Sequence, residues 1–196
     1  MISVVIPTVN AERLLPRCFD SLIPAAVRGV VREVIVCDAG STDTTLDIAD
    51  GAGAHIIHAR KGRSQQLIEG AATAKSDWLL FLHPETALEP GWEVEAESFI
   101  DQAVMEQPRA AVFRFAIEDF GGEARRAEAL ASFRTSMFAL PYGDQGLLIP
   151  KRLYQKLGGY RALADMEDAD LVRRIGRDQR IDLPFAHCAH AHVVGG

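Results

Sequence analysis

Several acids, cations and imidazoles in this chain stand where a phosphate-bearing ligand would need them. Asp38 closes the apolar run Val34-Ile35-Val36-Cys37, and an acid at the carboxyl end of a strand suits a sugar hydroxyl or a base N–H. Gly40 then permits a tight turn, and Ser41, Thr42 and Asp43 are cap formers that open a helix predicted to run to the neighbourhood of Asp50. Arg60-Lys61-Gly62-Arg63 is a compact basic cluster at the start of another predicted helix. Its cationic side chains and the unpaired N–H groups of the helix start both favour a diphosphate. Gln65 and Gln66 follow, and one of them is expected to face the ligand. His83-Pro84-Glu85 puts an imidazole and a carboxylate at the end of an apolar run. Met166-Glu167-Asp168-Ala169-Asp170 gathers acids at a helix start, a pattern that also complements the helix dipole with no chemistry implied. His187, His190 and His192 form H-x-x-H-x-H, either a solvated tail or a metal ligand set.

The elements that must position these groups alternate. Ile2 to Thr8 reads as a strand stopped by Pro7, and Val9-Asn10-Ala11-Glu12 opens a helix with Leu14, Leu15, Phe19, Leu22 and Ile23 at helical spacing. With the strand ending at Cys37 these make a βαβ unit, hence a parallel pair with a right-handed crossover. No G-x-G-x-x-G follows the first strand, which argues against a dinucleotide site. Further along, strands are predicted at Ala54–Ala59, Trp78–Leu82, Ala110–Ile117 and Gly146–Ile149. Helices are predicted at Arg63–Lys75, Trp92–Glu106, Glu123–Phe138, Arg152–Leu157 (ending at Gly158-Gly159) and Asp168–Gly176. Strands separated by helices imply an α/β protein with a mainly parallel sheet.

The 196 residues suit one domain, 48% of them hydrophobic and 24% charged, and the net charge of −6 argues against a nucleic-acid surface. No apolar run approaches the length of a membrane span. The first strand begins at Ile2 without a basic lead, and Cys18, Cys37 and Cys188 lack metal spacing. These features lead us to expect a cytoplasmic protein with reduced thiols.

Val5-Ile6-Pro7-Thr8-x-Asn10 followed by Asp38-Ala39-Gly40-Ser41-Thr42-Asp43 resembles the start of the inverting family-2 glycosyltransferases. The chain looks closest to the small bacterial arsenosugar-biosynthesis-type subgroup. The resemblance covers most of the sequence and implies a GT-A fold, Rossmann-like and three-layered. Residues 1–86 would form a nucleotide-sugar-binding half and residues 87–196 an acceptor-binding half of a single domain. It implies a nucleoside-diphosphate sugar as donor and a hydroxylated acceptor. Pro7, Thr8, Asn10, Asp38 and Gly40 would hold the nucleotide, and Arg63 the diphosphate. His83-Pro84-Glu85 stands where the family has Asp-x-Asp, so Glu85, with His83, would hold a divalent cation, Mn²⁺ or Mg²⁺, the imidazole tilting the preference to Mn²⁺. In some GT-A enzymes a late His completes the metal shell, a role open to the C-terminal histidines. Leu140-Pro141-Tyr142-Gly143-Asp144-Gln145-Gly146 looks like the subgroup's acceptor-side loop, with Asp144 as a polar ligand group. Glu167-Asp168 resembles the family's Glu-Asp motif, which would make Asp168 the general base. Gly158-Gly159-Tyr160 would pack beneath the acceptor.

Two other readings share parts of this pattern. A nucleotidyltransferase would place a glycine-rich basic loop after the first strand, where this chain has Pro7-Thr8-Val9-Asn10-Ala11-Glu12. A non-catalytic binding protein on the same fold would be compatible with the altered His83-Pro84-Glu85 motif.

Overall fold

The structure is a computed structural model that describes residues 1–105, 108–115 and 146–190. Eight strands form one sheet in the order β3-β2-β1-β4-β7-β6-β8-β5. Four of them make the parallel block expected from the alternation: β1 (Ile2–Thr8), β2 (Val31–Asp38), β3 (His55–His58) and β4 (Trp78–Phe81). The register pairs Thr8 with Asp38 and Asp38 with His58, so the carboxyl ends of β1, β2 and β3 finish level along one edge. β7 (Leu147–Pro150) runs antiparallel to β4, and β6 (Ala110–Phe115) antiparallel to β7.

Two strands depart from the sequence reading. β5 (Thr86–Leu88) was not expected, and β8 (Arg180–His190) runs through the segment read as a histidine-bearing tail. β8 lies parallel to β6 and antiparallel to β5. Pro184 has no N–H for the ladder. The register accommodates it by jumping from Phe113↔Leu183 to Arg114↔His187. His187 and His190 therefore belong to a strand, and His190 pairs with Thr86. The predicted helix at Glu123–Phe138, the loop carrying Asp144, and His192 lie outside the described residues.

Side chains alternate across the sheet and give it two cores. Val4, Ile6, Val36 and Leu80 pack with α1 (Leu15–Val27), α2 (Thr45–Gly51) and α4 (Trp92–Met105). Val5, Cys37, Leu79 and Phe81 pack on the other face with α3 (Arg63–Thr73), α5 (Lys151–Lys156) and α6 (Glu167–Ile175). The result is three layers, helix on sheet on helix. α3 approaches the sheet through Gly70, where a Cβ would lie 2.5 Å from Cys37 Sγ and closer still to Val5 Cγ1.

The first helix starts later than the sequence suggested. Asn10 takes a left-handed φ of 49°, and α1 begins at Leu15 with Pro16 in its first turn. The intervening segment is clasped to the loop after β2 instead. Ser41 Oγ accepts the Asn10 N–H at 2.9 Å, and Asn10 Oδ1 accepts the Thr42 N–H at 2.8 Å. Thr45 Oγ1 accepts from Ala11 N at 2.7 Å, and Glu12 Oε2 accepts from the Thr44 hydroxyl at 2.9 Å. Ser41 and Thr42 thus tie two loops together, while Asp43 does both: its Oδ1 accepts the N–H of Thr45 at the first position of α2 at 3.0 Å, and its Oδ2 accepts the Glu12 N–H at 3.2 Å.

Candidate active site

A cleft of about 400 Å³ opens at the carboxyl ends of β1 and β4, the place where open α/β sheets take ligands. Pro7, Thr8, Arg63, His83 and Glu85 line it, together with Gln66 and apolar groups from the β1–α1 loop. The sequence-derived donor residues therefore divide between the cleft wall and the structure behind it.

Asp38 belongs to the structure behind. It is 1% exposed. Its Oδ1 accepts the Thr8 hydroxyl at 3.1 Å and the Ser41 hydroxyl, and its Oδ2 accepts the Gly40 and Ser41 N–H groups, each at 2.9 Å. Burial would raise its pKa, but these four bonds outweigh burial and hold the carboxyl below the usual carboxylate range. A carboxylate has about four lone-pair sites, and four donors fill them. As folded, Asp38 fixes the turn at Gly40 and aims Thr8. Asn10 and Gly40 likewise serve the loop clasp and this turn.

Of the two glutamines, Gln66 lines the cleft. Its Nε2 donates to the carbonyls of Thr8 (2.8 Å) and Cys37 (2.6 Å), closing the gap where β1 and β2 end. Arg63 stands at the first position of α3, half exposed beside the cleft.

His83 is the junction of the site. The ring is buried, with Nδ1 3.4 Å from Glu85 Oε1 and Nε2 3.5 Å from Asp168 Oδ2. Burial alone would lower its pKa. Hydrogen bonds and charge from Asp168 and Glu85 reverse that and push it up to about 9. A protonated imidazole has no lone pair for a metal. In this structure both ring nitrogens of His83 face carboxylates, which favour its protonated form. Glu85, by contrast, is an oxygen donor at the cleft wall, a chemistry suited to Mg²⁺ or Mn²⁺. Among the described residues no group of three or more His, Cys, Asp or Glu is arranged to hold a metal ion.

The three acids at the start of α6 have separate partners. Asp170 Oδ2 accepts from Arg174, which also donates to the carbonyls of Leu157 and Gly159. Glu167, buried, has Oε1 3.7 Å from Arg63 Nε. Asp168 faces His83 through Oδ2 and accepts the Tyr160 hydroxyl at 2.6 Å through Oδ1. Burial and the Asp168 charge raise the Tyr160 phenol well above its ordinary range, so it remains a donor. Tyr160 is itself placed by its N–H, which donates to Tyr154 Oη at 3.0 Å; a Cβ on Gly159 would collide with that ring. The sequence pointed to Gly158-Gly159-Tyr160 only as packing, and an aromatic directly after two glycines was the available signal for this contact.

The profile of "Glycosyl transferase family 2" matches residues 3–139. The chain is 36% identical over 95 residues to a PGL/p-HBAD biosynthesis glycosyltransferase of Mycobacterium bovis (strain BCG / Pasteur 1173P2), a match covering 45% of this chain and 36% of that protein. It is 34% identical over 90 residues to glucosyl-3-phosphoglycerate synthase of Mycobacterium tuberculosis (strain CDC 1551 / Oshkosh), covering 41% of this chain and 28% of the relative. The matches thus span about a third of these relatives' lengths. The crystal structure of the Mycobacterium tuberculosis synthase with Mn²⁺, uridine diphosphate and glucosyl-3-phosphoglycerate superposes with a TM-score of 0.66 at 21% identity, covering 97% of this chain and 72% of that one. S. aureus TarS gives a TM-score of 0.69 at 16% identity, covering 95% of this chain and 59% of that one. At these identities the superpositions establish the shared GT-A fold.

Proposed function

Because the chain belongs to glycosyl transferase family 2, we propose that it moves a sugar, with inversion, from a nucleoside-diphosphate donor to an acceptor hydroxyl. The observation that carries this reading is the placement of Asp168 beside the cleft: its two oxygens are held by Tyr160 and His83, and His83 also lines the cleft wall.

In this proposal the first 86 residues bind the donor. Pro7 and Thr8 line the nucleoside pocket, Asp38 holds Thr8 and the Gly40 turn in place, and Arg63 meets the diphosphate. The remainder of the chain binds the acceptor, with Asp144 on the acceptor-side loop. Asp168 takes the proton from the acceptor hydroxyl as that oxygen attacks the anomeric carbon from the face opposite the diphosphate. Inversion needs no enzyme nucleophile, so one base suffices. Negative charge grows on the departing diphosphate, and the cations aimed at it lower the barrier. Arg63, half exposed beside the cleft, is such a cation. A divalent cation on Glu85 would supply further neutralisation of the diphosphate. The β8–β5 register brings the backbone of His190 alongside Thr86, next to Glu85, which supports the late histidine's place near that acid.

The uridine diphosphate in the structure of the mycobacterial synthase supports a uridine-diphosphate sugar as the donor to try first. A thermal-shift panel of nucleoside diphosphates and sugar nucleotides, with Mn²⁺, Mg²⁺ or chelator, tests the reading. Stabilisation by one sugar nucleotide is expected; saturating ligand at about 100 times Kd adds about 2.7 kcal/mol. A panel without any stabilising nucleotide overturns it.

A further inference from the structure

We infer that Glu167 serves the donor rather than the acceptor, as the residue that holds Arg63 in position for the diphosphate. The inference rests on the donor reading above. Glu167 and Asp168 are neighbours in the first turn of α6, so their side chains leave the helix about 100° apart. Asp168 goes to His83 at the end of β4 and to Tyr160. Glu167 goes to the start of α3, where Oε1 lies 3.7 Å from Arg63 Nε. The two acids of one motif thus address different halves of the site.

Burial makes the pair directional. The Glu167 side chain is 5% exposed and that of Arg63 is 52% exposed. A buried carboxylate is costly unless a cation accompanies it, so Glu167 favours the Arg63 rotamer that keeps Nε nearby. The guanidinium carries five N–H donors, only one of them on Nε, and Arg63 lines the cleft. Contact at Nε leaves the four donors on the terminal nitrogens, the pair that can fork onto phosphate oxygens. A long arginine loses rotamer freedom when it takes a ligand, and one already anchored has less to lose. A second tie keeps the arrangement in register. Ser64 Oγ donates to the Leu163 carbonyl at 2.7 Å, binding the segment that leads into α6 to the residue after Arg63. The left-handed Met166, φ 67°, then turns the chain so that Glu167 faces α3.

Titration calorimetry on the full chain tests this, with uridine diphosphate and uridine as probes, on wild type, Glu167→Gln, Arg63→Ala and the double variant. Glu167→Gln is expected to weaken uridine diphosphate about five- to tenfold and leave uridine unchanged, and the double variant to bind no worse than Arg63→Ala. In donor kinetics the loss should appear in KM, with kcat changed less than about threefold. A Glu167→Gln affinity equal to wild type overturns the inference. A tighter one overturns it too, since Glu167 would then be competing with the phosphates for Arg63. Additive losses in the double variant also overturn it, by placing the action of Glu167 elsewhere. If Glu167→Gln does not fold, Glu167→Asp decides: it keeps the charge but draws the carboxylate back from Arg63 by one methylene, so weakened uridine diphosphate binding with unchanged uridine supports the role and wild-type binding ends it. Wild type failing to bind uridine diphosphate would remove the donor reading itself, and this inference with it.

Discussion

His83 Nε2 lies 3.5 Å from Asp168 Oδ2 while its Nδ1 lies 3.4 Å from Glu85 Oε1, so one buried ring joins a carboxylate of the cleft wall to a carboxylate at the start of α6. Burial alone would keep that ring neutral; the two carboxylates favour its charged form.

That relationship predicts a pH dependence of stability. The folded pKa of His83, about 9, exceeds the ordinary 6.5. A group raised on folding stabilises fully below its unfolded pKa and loses that contribution as pH climbs through the folded one. Wild type should lose on the order of 2 kcal/mol of unfolding free energy between pH 7 and pH 10, and His83→Gln should lose far less over the same interval. Urea midpoints at three pH values measure it. A wild-type midpoint that stays level or rises would mean the ring is neutral in the folded protein.

Asp38 should matter to the fold before it matters to the ligand. Asp38→Ala leaves the N–H groups of Gly40 and Ser41 and the hydroxyl of Thr8 without their acceptor. The expected loss is about 1–3 kcal/mol, because the Thr8 hydroxyl is buried and left unmet while the more exposed Gly40 and Ser41 N–H groups lose a charged acceptor but can turn to water. Chemical denaturation checks it. A loss below about 0.5 kcal/mol would show that the turn holds without the carboxylate and would return Asp38 to the role of ligand.

Gly70→Ala tests how α3 is seated. The added methyl would press on Val5 and Cys37, so α3 must lift and carry Arg63 and Gln66 with it. Destabilisation of about 1–3 kcal/mol is expected, with weaker nucleotide binding. Unchanged thermal stability together with unchanged nucleotide affinity would show that the helix can shift without moving the site.

Much of this was legible in the sequence because the signals were local. The strand that ends at Asp38, the glycine turn and the basic start of α3 each lie within a few residues, and strand periodicity placed them on one sheet edge. What was missed depended on distant partners or on interrupted patterns. Pro184 and closely spaced histidines hid β8, since a register jump in the sheet is invisible in the chain. Ser41, Thr42 and Asp43 all have the chemistry of helix caps, and only folding shows Asp43 meeting the start of α2 while Ser41 and Thr42 are spent on Asn10. The approach of Asp168 to His83 could not be read from the local spacing of His83, Pro84 and Glu85. Nothing in the spacing of Glu167 and Asp168 revealed that one faces α3 and the other β4.

Substitution of Asp168 tests the proposed base. Asp168 is held through both oxygens, by a phenol and by an imidazolium, which fixes its orientation and leaves its remaining lone pairs for an acceptor hydroxyl. Asp168→Asn keeps the shape and can still accept the Tyr160 hydroxyl, but it cannot take a proton. Fold and donor affinity should survive, while turnover falls by at least about 10²-fold, the scale of a positioned general base. Tyr160→Phe should be milder, about tenfold, because the carboxylate remains and loses only one of two supports. Slow hydrolysis of the donor, with water in the acceptor position, provides an assay before the acceptor is identified. If Asp168→Asn turns over like wild type while Glu167→Gln is inactive, the base is Glu167, and the division of labour between the two acids is the reverse of the one inferred. If both variants turn over normally, the acids only complement the helix dipole, and the proton must leave by another route.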